Sequence, residues 1–368
     1  MKPKLVVVGP LPPPYHGVTV STGLVLANET LRQNFDVEHF DTSDHRSRAT
    51  VGKWEILNIW LAIKHAFLLA LKLSKPKGIM YFPVSGGLPG FLRDSLLIHA
   101  ARLRGWTVVG HFRNGDFDVF LNRQPGPIKA WLRFSINRLT AAAVLGEGIR
   151  TRYTAFLDRQ RMTVVPNGTL DLGSAEAKPH DDLCVLYLSN LRRRKGVVES
   201  VRAASICLQS GQRARFIFAG DFEDDHLARE LRAIAAPFAG SIEFRPSVSG
   251  VAKENLYRSA DIFVFPPVEP EGHPRVVLEA MAAGLPVIAT ARGAIPETVE
   301  DGIGGIVLDT PTPDGLAASI TRLLEDHSER VRMGKAARER FLESFTQERA
   351  DEGLTRWLLS VWAEARGS

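Results

Sequence analysis

Short apolar runs separated by longer helical patterns recur along this chain, and that alternation constrains its fold more than any other feature. "KLVVVG" (4–9) predicts a strand, and the run from Val18 to Leu31 a helix. Strands are expected at 37–40, "GIMYFPV" (78–84), "WTVVGHF" (106–112), "AAAVL" (141–145) and "TVVP" (163–166). Helices at about 54–74, 88–104, 127–140 and 147–157 separate them. Residues 167–180, "NGTLDLGSAEAKPH", lack apolar periodicity and read as a linker. The alternation then restarts with strands at 185–189, 215–220, 242–245, 262–266 and 286–290. Helices fit between them at about 196–209, 224–236, 251–259, 275–283 and 314–326. This spacing calls for parallel strands with helices on both faces. The expected fold is α/β, with two tandem doubly wound domains at 1–170 and 180–345 and a closing helical segment at 346–368. A length of 368 residues suits two domains.

Charge is divided unevenly. Residues 1–175 hold 22 Lys/Arg against 12 Asp/Glu, a balance of +10, while the remainder holds 24 against 29, or −5. A basic half suits an anionic membrane surface or a phosphate-bearing substrate. No helix-turn-helix, zinc-finger or RNA-binding aromatic signature accompanies the charge, so nucleic acid is not an expected partner. The apolar run after "MKPK" is too short for a signal peptide. Cys184 and Cys207 lie in apolar surroundings and read as thiols of a reducing cytoplasm, where the sequons at Asn28 and Asn167 would go unused.

In an open parallel sheet, ligands bind beyond the carboxyl ends of the strands. The unusual residues of this chain fall there. Gly17 ends the proline-stiffened loop "GPLPPPYHG" and either turns the chain or lets backbone amides approach an anion. His111 ends a strand, where it could bond a polar substrate or serve the core. Asp116 and Asp118 are either an Asp-x-Asp cation site or solvated charge, and no metal is expected. In "LSNLRRRKG", Lys195 and Gly196 open a helix, a pairing that suits a diphosphate. Some of Arg192, Arg193 and Arg194 read as exposed loop charge. In "PEGHPRVVLEAMAAG", Glu271 lies in a turn and Glu279 about one turn inside the following helix. Either both grip one ligand, or they are a capping and a solvent-facing glutamate.

Taken in order, Gly17, "VVGHFRNG", "VVPNG", "LSNLRRRKG" and "EGHPRVVLEAMAAGLPVIAT" resemble glycosyltransferase family 4, retaining enzymes of the GT-B fold. The resemblance runs from about residue 5 to residue 310. It implies two Rossmann-like domains facing a central cleft, an N-terminal acceptor domain, a C-terminal nucleotide-sugar domain and a last helix crossing back to the first domain. It also implies that Glu279 accepts hydrogen bonds from ribose hydroxyls, that Glu271 contacts the donor sugar, and that backbone amides near Gly272 and His273 meet sugar and phosphate. Lys195 would neutralise the diphosphate, Gly17 would approach it, and His111 would lie beside the transferring sugar. Asn190 stands where the family often has an arginine, so a neighbour such as Arg194 would supply the missing charge. Gly272-His273-Pro274 replaces the family's frequent Gly-Phe-Gly, and Pro274 has no amide hydrogen to donate.

The implied activity is metal- and cofactor-independent, retaining transfer of a sugar from a nucleoside diphosphate to an acceptor hydroxyl. His111, Lys195 and Glu271 are the catalytic candidates. Gly17, Asn190, Arg194, Lys195, Gly272, His273 and Glu279 are the donor-binding ones. A cytoplasmic role in bacterial cell-surface polysaccharide or glycolipid synthesis follows, with a saccharide or lipid-linked saccharide as acceptor. A GT-B epimerase, a glycoside phosphorylase and a non-catalytic nucleotide-sugar-binding protein are the alternatives. The helix at 54–74 carries Asn58, His65 and Lys72 as one polar stripe, with Lys64 beside it. Being apolar almost all round, it reads as a core crossover helix. With Lys53, Lys75 and Lys77 it could instead touch the inner face of the plasma membrane.

Overall fold

The computed structural model describes residues 2–12, 17–43, 56–73, 77–173 and 182–367. Two compact units emerge, Met1–Pro166 with Ala350–Ser368, and Asn167–Arg349. In the first, β1 (Lys4–Gly9), β2 (Asp36–Asp41), β3 (Ile79–Val84), β4 (Thr107–Phe112), β5 (Ala141–Val144) and β6 (Met162–Val164) make one sheet. Its order is β2-β1-β3-β4-β5-β6, and its strand pairs are parallel. In the second, β7 (Leu183–Leu188), β8 (Ala214–Ala219), β9 (Ile242–Arg245), β10 (Ile262–Phe265), β11 (Val287–Thr290) and β12 (Gly305–Leu308) pair in the order β12-β11-β10-β7-β8-β9, also parallel.

Strand alternation sorts the first core into two halves. Val6, Val8, Met80 and Val108 face one side of the sheet, under helices that bury Leu69, Ile98 and Leu132. Leu5, Val7, Tyr81 and Val109 face the other, covered by Val25, Leu31 and, from the terminal helix Gln347–Gly367, Leu354, Trp357, Leu358 and Val361. Burial on both faces explains why β3 reads as an unbroken apolar run. The second unit packs around β7, β8, β10 and β11.

Several expectations shift. The helix expected from Val18 to Leu31 breaks at Asn28, whose side chain accepts from the Leu31 N–H at 2.7 Å and caps Glu29–Asn34. Elements not expected include the strand β12, the helices Phe117–Asn122 and Ile295–Val299, and the long helix His327–Ser344. That helix buries only a narrow stripe of Met333, Gly334, Ala337 and Phe341, too weak a pattern to stand out among its charges. Of the linker, residues 167–173 pack into the second unit and 174–180 lie outside the described residues. Helix Ile56–Lys72 buries Leu69 but exposes Trp60, Ile63, Phe67 and Leu71, which corrects the core reading. Lys53, Lys75 and the side chain of Asn58 lie outside the described residues. Among the described residues, no helix is long and apolar enough to cross a membrane.

In the second sheet the strand order reverses direction between β7 and β10, so the crevice beyond their carboxyl ends is where a ligand belongs. Gly196 holds that point together. Its φ is +76°, and a Cβ there would lie 1.9 Å from the Pro266 carbonyl oxygen. Gly211 has a similar φ of +88° with open space around it. Gly211→Ala should therefore cost only the left-handed conformational penalty, about 1–2 kcal/mol. Gly196→Ala should cost clearly more, because the β10 loop must also move. Equilibrium denaturant unfolding of both variants checks this; equal losses would contradict the close approach.

Candidate functional site

The turn after β7 and the loop after β10 meet through their backbones. Val268 and Glu269 donate their N–H groups to the Arg194 carbonyl at 3.0 and 3.2 Å. Tyr187, buried on β7, donates its hydroxyl to the Lys195 carbonyl at 3.1 Å. Burial, and then the nearby Glu271 carboxylate, raise the Tyr187 pKa well above its usual value, so it stays a neutral donor. With both loops fixed, the Lys195 ammonium pairs with the Glu271 carboxylate and lies 5.6 Å from the Phe265 ring centroid. Both side chains keep some exposure, at 18% and 11%. Helix Val197–Gln209 begins beside them with no side-chain cap on Gly196, so backbone N–H groups at its start point into the same crevice.

Glu279 is placed by a different helix. It is buried on Arg275–Ala282, where Lys253 reaches it at 2.6 Å and the Tyr257 hydroxyl at 2.9 Å. Lys253 and Tyr257 stand four residues apart on helix Gly250–Arg258, hence on one face. The sequence reading missed both. No local signal marked them, because their partner Glu279 lies 22 to 26 residues further along the chain. The pair orients an ionised carboxylate and leaves acceptor capacity for further donors. Burial is the main reason the Tyr257 pKa lies well above the ordinary range, with Glu279 adding to it.

The arginines divide. Arg193 is held by Glu230, which raises its pKa. The exposed side chains of Arg192 and Arg194 make no hydrogen bond or ion pair among the described residues, so either can offer the charge that Asn190 lacks. Asn190 is exposed and Gly272 buried, the latter accepting from the Ala294 N–H at 2.9 Å.

The His273 imidazole is enclosed in the second unit. The Asn167 N–H donates to its Nδ1 at 3.0 Å, and the Asn167 amide donates to its carbonyl at 2.8 Å. The Thr298 hydroxyl, 2.6 Å from the Ala294 carbonyl, lies 3.0 Å from Nε2. These bonds keep the proton on Nε2 and leave Nδ1 an acceptor. "VVPNG" and "EGHPR" thus form one internal joint, with only the backbone around His273 left to meet a ligand.

The first-unit candidates belong to another sheet. Gly17 is exposed at the start of Gly17–Ala27, and nothing lies within 4 Å of a Cβ built there. His111 faces sideways within β4, under the terminal helix, and is 1% exposed. Arg113 donates to the Tyr81 oxygen at 3.1 Å, and the Tyr81 hydroxyl lies 3.0 Å from His111 Nδ1. Burial, then the Arg113 guanidinium, hold the His111 pKa well below its usual value, against a partial offset from the Val165 backbone. Asp118 pairs with Arg152 at 3.2 Å, and Asp116 accepts from the Asn114 amide at 3.0 Å.

Burial, aided by the Arg275 guanidinium, lowers the His273 pKa from 6.5 to about 3. Because the folded pKa is depressed, the unfolded chain takes the proton first as pH falls. The contribution of His273 is therefore complete above pH 6.5 and lost on the way down to about pH 3. From pH 7 to 5 that amounts to about 2 kcal/mol. In pH-dependent unfolding, His273→Gln should be less stable at pH 7 but lose about 2 kcal/mol less over this interval. Parallel pH curves would contradict the buried, neutral imidazole.

Comparison with known proteins accords with this geometry. Residues 172–340 match the family described as glycosyl transferases group 1. Spore coat protein SA of Bacillus subtilis is 30% identical over 193 residues, 51% of this chain and 50% of that protein. The phosphatidyl-myo-inositol mannosyltransferase of Mycolicibacterium smegmatis is 30% identical over 180 residues, 47% of this chain and 45% of that protein. The chain thus spans about half the length of the curated relatives it matches. Anabaena HepE, solved in complex with UDP, superposes with a TM-score of 0.75 at 16% identity, covering 97% of this chain and all of its own. Sucrose-phosphate synthase of Thermosynechococcus elongatus gives 0.75 at 16% identity, covering 98% of this chain and 100% of that one. Residues 172–340 of the second unit are thus similar to group 1 glycosyl transferases, in a chain whose two α/β units have the GT-B fold.

Proposed function

We propose that the chain is a family 4 glycosyltransferase that moves a sugar from a nucleoside-diphosphate donor to an acceptor hydroxyl with retention. The observation that carries this reading is the convergence of Lys195, Glu271 and an uncapped helix start at the β7–β10 switch point. The UDP-glucose complex solved for HepE supports a nucleotide sugar as donor. The acceptor is a saccharide, free or carried on lipid, in bacterial cell-surface glycan or glycolipid synthesis.

In this proposal the diphosphate competes with Glu271 for Lys195 and lies over the N–H groups of Val197 and Val198, with Arg192 or Arg194 nearby. Glu271, released from Lys195, accepts hydroxyls of the donor sugar. Glu279, held by Lys253 and Tyr257, accepts those of the ribose. The bond from the anomeric carbon to the phosphate oxygen breaks, and its electron pair goes to the diphosphate. The acceptor oxygen attacks on the same face and passes its proton to a departing phosphate oxygen. Positive charge aimed at the leaving group takes the place of a metal ion.

The test is turnover of UDP-glucose, UDP-N-acetylglucosamine and GDP-mannose with saccharide acceptors, with the anomer of the product read by NMR. Retained stereochemistry is expected, unaffected by EDTA, with turnover falling about 100–1000-fold in Lys195→Ala. An inverted anomer would refute retention, and loss of activity with EDTA would refute metal independence. Donor turnover that needs no acceptor hydroxyl would favour an epimerase or phosphorylase.

A further inference from the structure

Helices Ile56–Lys72, Leu88–Leu103 and Gly126–Ile136 all bury residues in the same half of the first core, so they cover one face of that sheet side by side. Their outward sides are unusually apolar. Trp60, Ile63, Phe67 and Leu71 recur at helical spacing and are exposed, Phe67 by 63%. On the third helix, Trp131 and Phe134 are 41% and 44% exposed. His99 of the middle helix fills the gap, its ring 5.2 Å from Trp131 and stacked at 5.3 Å on Phe134. The apolar surface therefore continues from the middle helix onto the third, with the first helix packed beside the middle one, where isolated exposed side chains would need no explanation.

The charge around it has one sign. Lys64 reaches over the Trp60 ring at 5.3 Å, and Arg138 over Phe134 at 4.8 Å. Lys129 and Arg133 lie on the third helix, and Arg102 and Arg104 close the second. Within the three helix sequences the one carboxylate is Asp94, which is buried against Arg93 and the Ser85 N–H. Tryptophans among aliphatic side chains, with lysine and arginine stems laid over the rings, suit the boundary between headgroups and acyl chains. A protein partner of matching shape would need an acidic rim; an anionic bilayer supplies that charge everywhere.

We infer that this three-helix face is a docking surface for an anionic lipid bilayer. The inference rests on the proposed function only for its purpose, bringing the first unit to an acceptor carried on lipid. Lys72 takes no part, being paired with Glu38 at 3.3 Å.

The test is co-sedimentation of the full chain, without donor, with phosphatidylcholine vesicles and with vesicles containing about a third phosphatidylglycerol. Binding to the anionic vesicles at low salt, weakened by salt, is expected. Ile63→Ser with Phe67→Ser should weaken it about tenfold or more, as should Lys129→Glu with Arg133→Glu. All four positions lie outside the core, and an unchanged unfolding midpoint verifies the fold. Brominated lipid should quench fluorescence that Trp131→Phe removes. No binding to anionic vesicles, or equal binding by both double variants, would overturn the inference. So would a dimer in sedimentation velocity that the Ser variants dissolve while vesicles are ignored. Because donor turnover is absent from this assay, its failure leaves the transferase reading standing.

Discussion

The second unit's site depends on a backbone contact. Gly196 lies so close to the Pro266 carbonyl that a side chain cannot fit, and the Arg194 carbonyl takes two N–H groups from the β10 loop. These contacts join segments about 75 residues apart in sequence and fix the distance between the Lys195 and Glu271 backbones. A lysine on a loose loop would spread its charge over many positions. Here it is held beside the start of a helix whose first N–H groups lack a side-chain cap. Ammonium and helix dipole then act at one point, where a diphosphate's charge would build up.

The two glutamates are held in different ways. Glu271 has a partner that an anionic ligand can take from it. Glu279 has two, Lys253 and Tyr257, both fixed on a helix that lies outside the switch point. A carboxylate oriented by such partners can receive hydroxyl donors without first reorganising. Tyr257 is also tied to the Val276 carbonyl at 3.2 Å, which couples the glutamate's position to the start of its own helix. Behind the same loop, the Asn167–His273 joint keeps the turn in register without a charged group.

Much of the fold was legible because most buried parallel strands are continuous apolar runs, and each of the eleven expected strands has its counterpart among β1 to β11. β12 was missed, and the helix His327–Ser344 buries too thin a stripe to stand out. Of the site, Lys195, Gly196, Glu271 and Glu279 were readable because they occupy strand-to-helix junctions. Lys253 and Tyr257 were not, since their role comes from a contact across 22 to 26 residues that no local pattern announces. His273 stood in a ligand-binding motif but turned inward, because Asn167 and Thr298 satisfy both ring nitrogens. His111 was read as a strand-end group, but the pleat sends its side chain beneath Trp357. The helix at 56–72 looked like core because composition cannot tell which apolar face meets protein.

The most direct measurement is thermal unfolding with UDP, GDP, ADP and CDP, on the native chain and on Glu279→Ala. A ligand at a hundredfold excess over its dissociation constant stabilises by about 2.7 kcal/mol, a shift of several degrees in a domain of this size. The account predicts such a shift with one of the four, lost in the variant. No shift with any of them, or a shift that survives loss of the glutamate, would contradict a nucleotide site at the β7–β10 crevice.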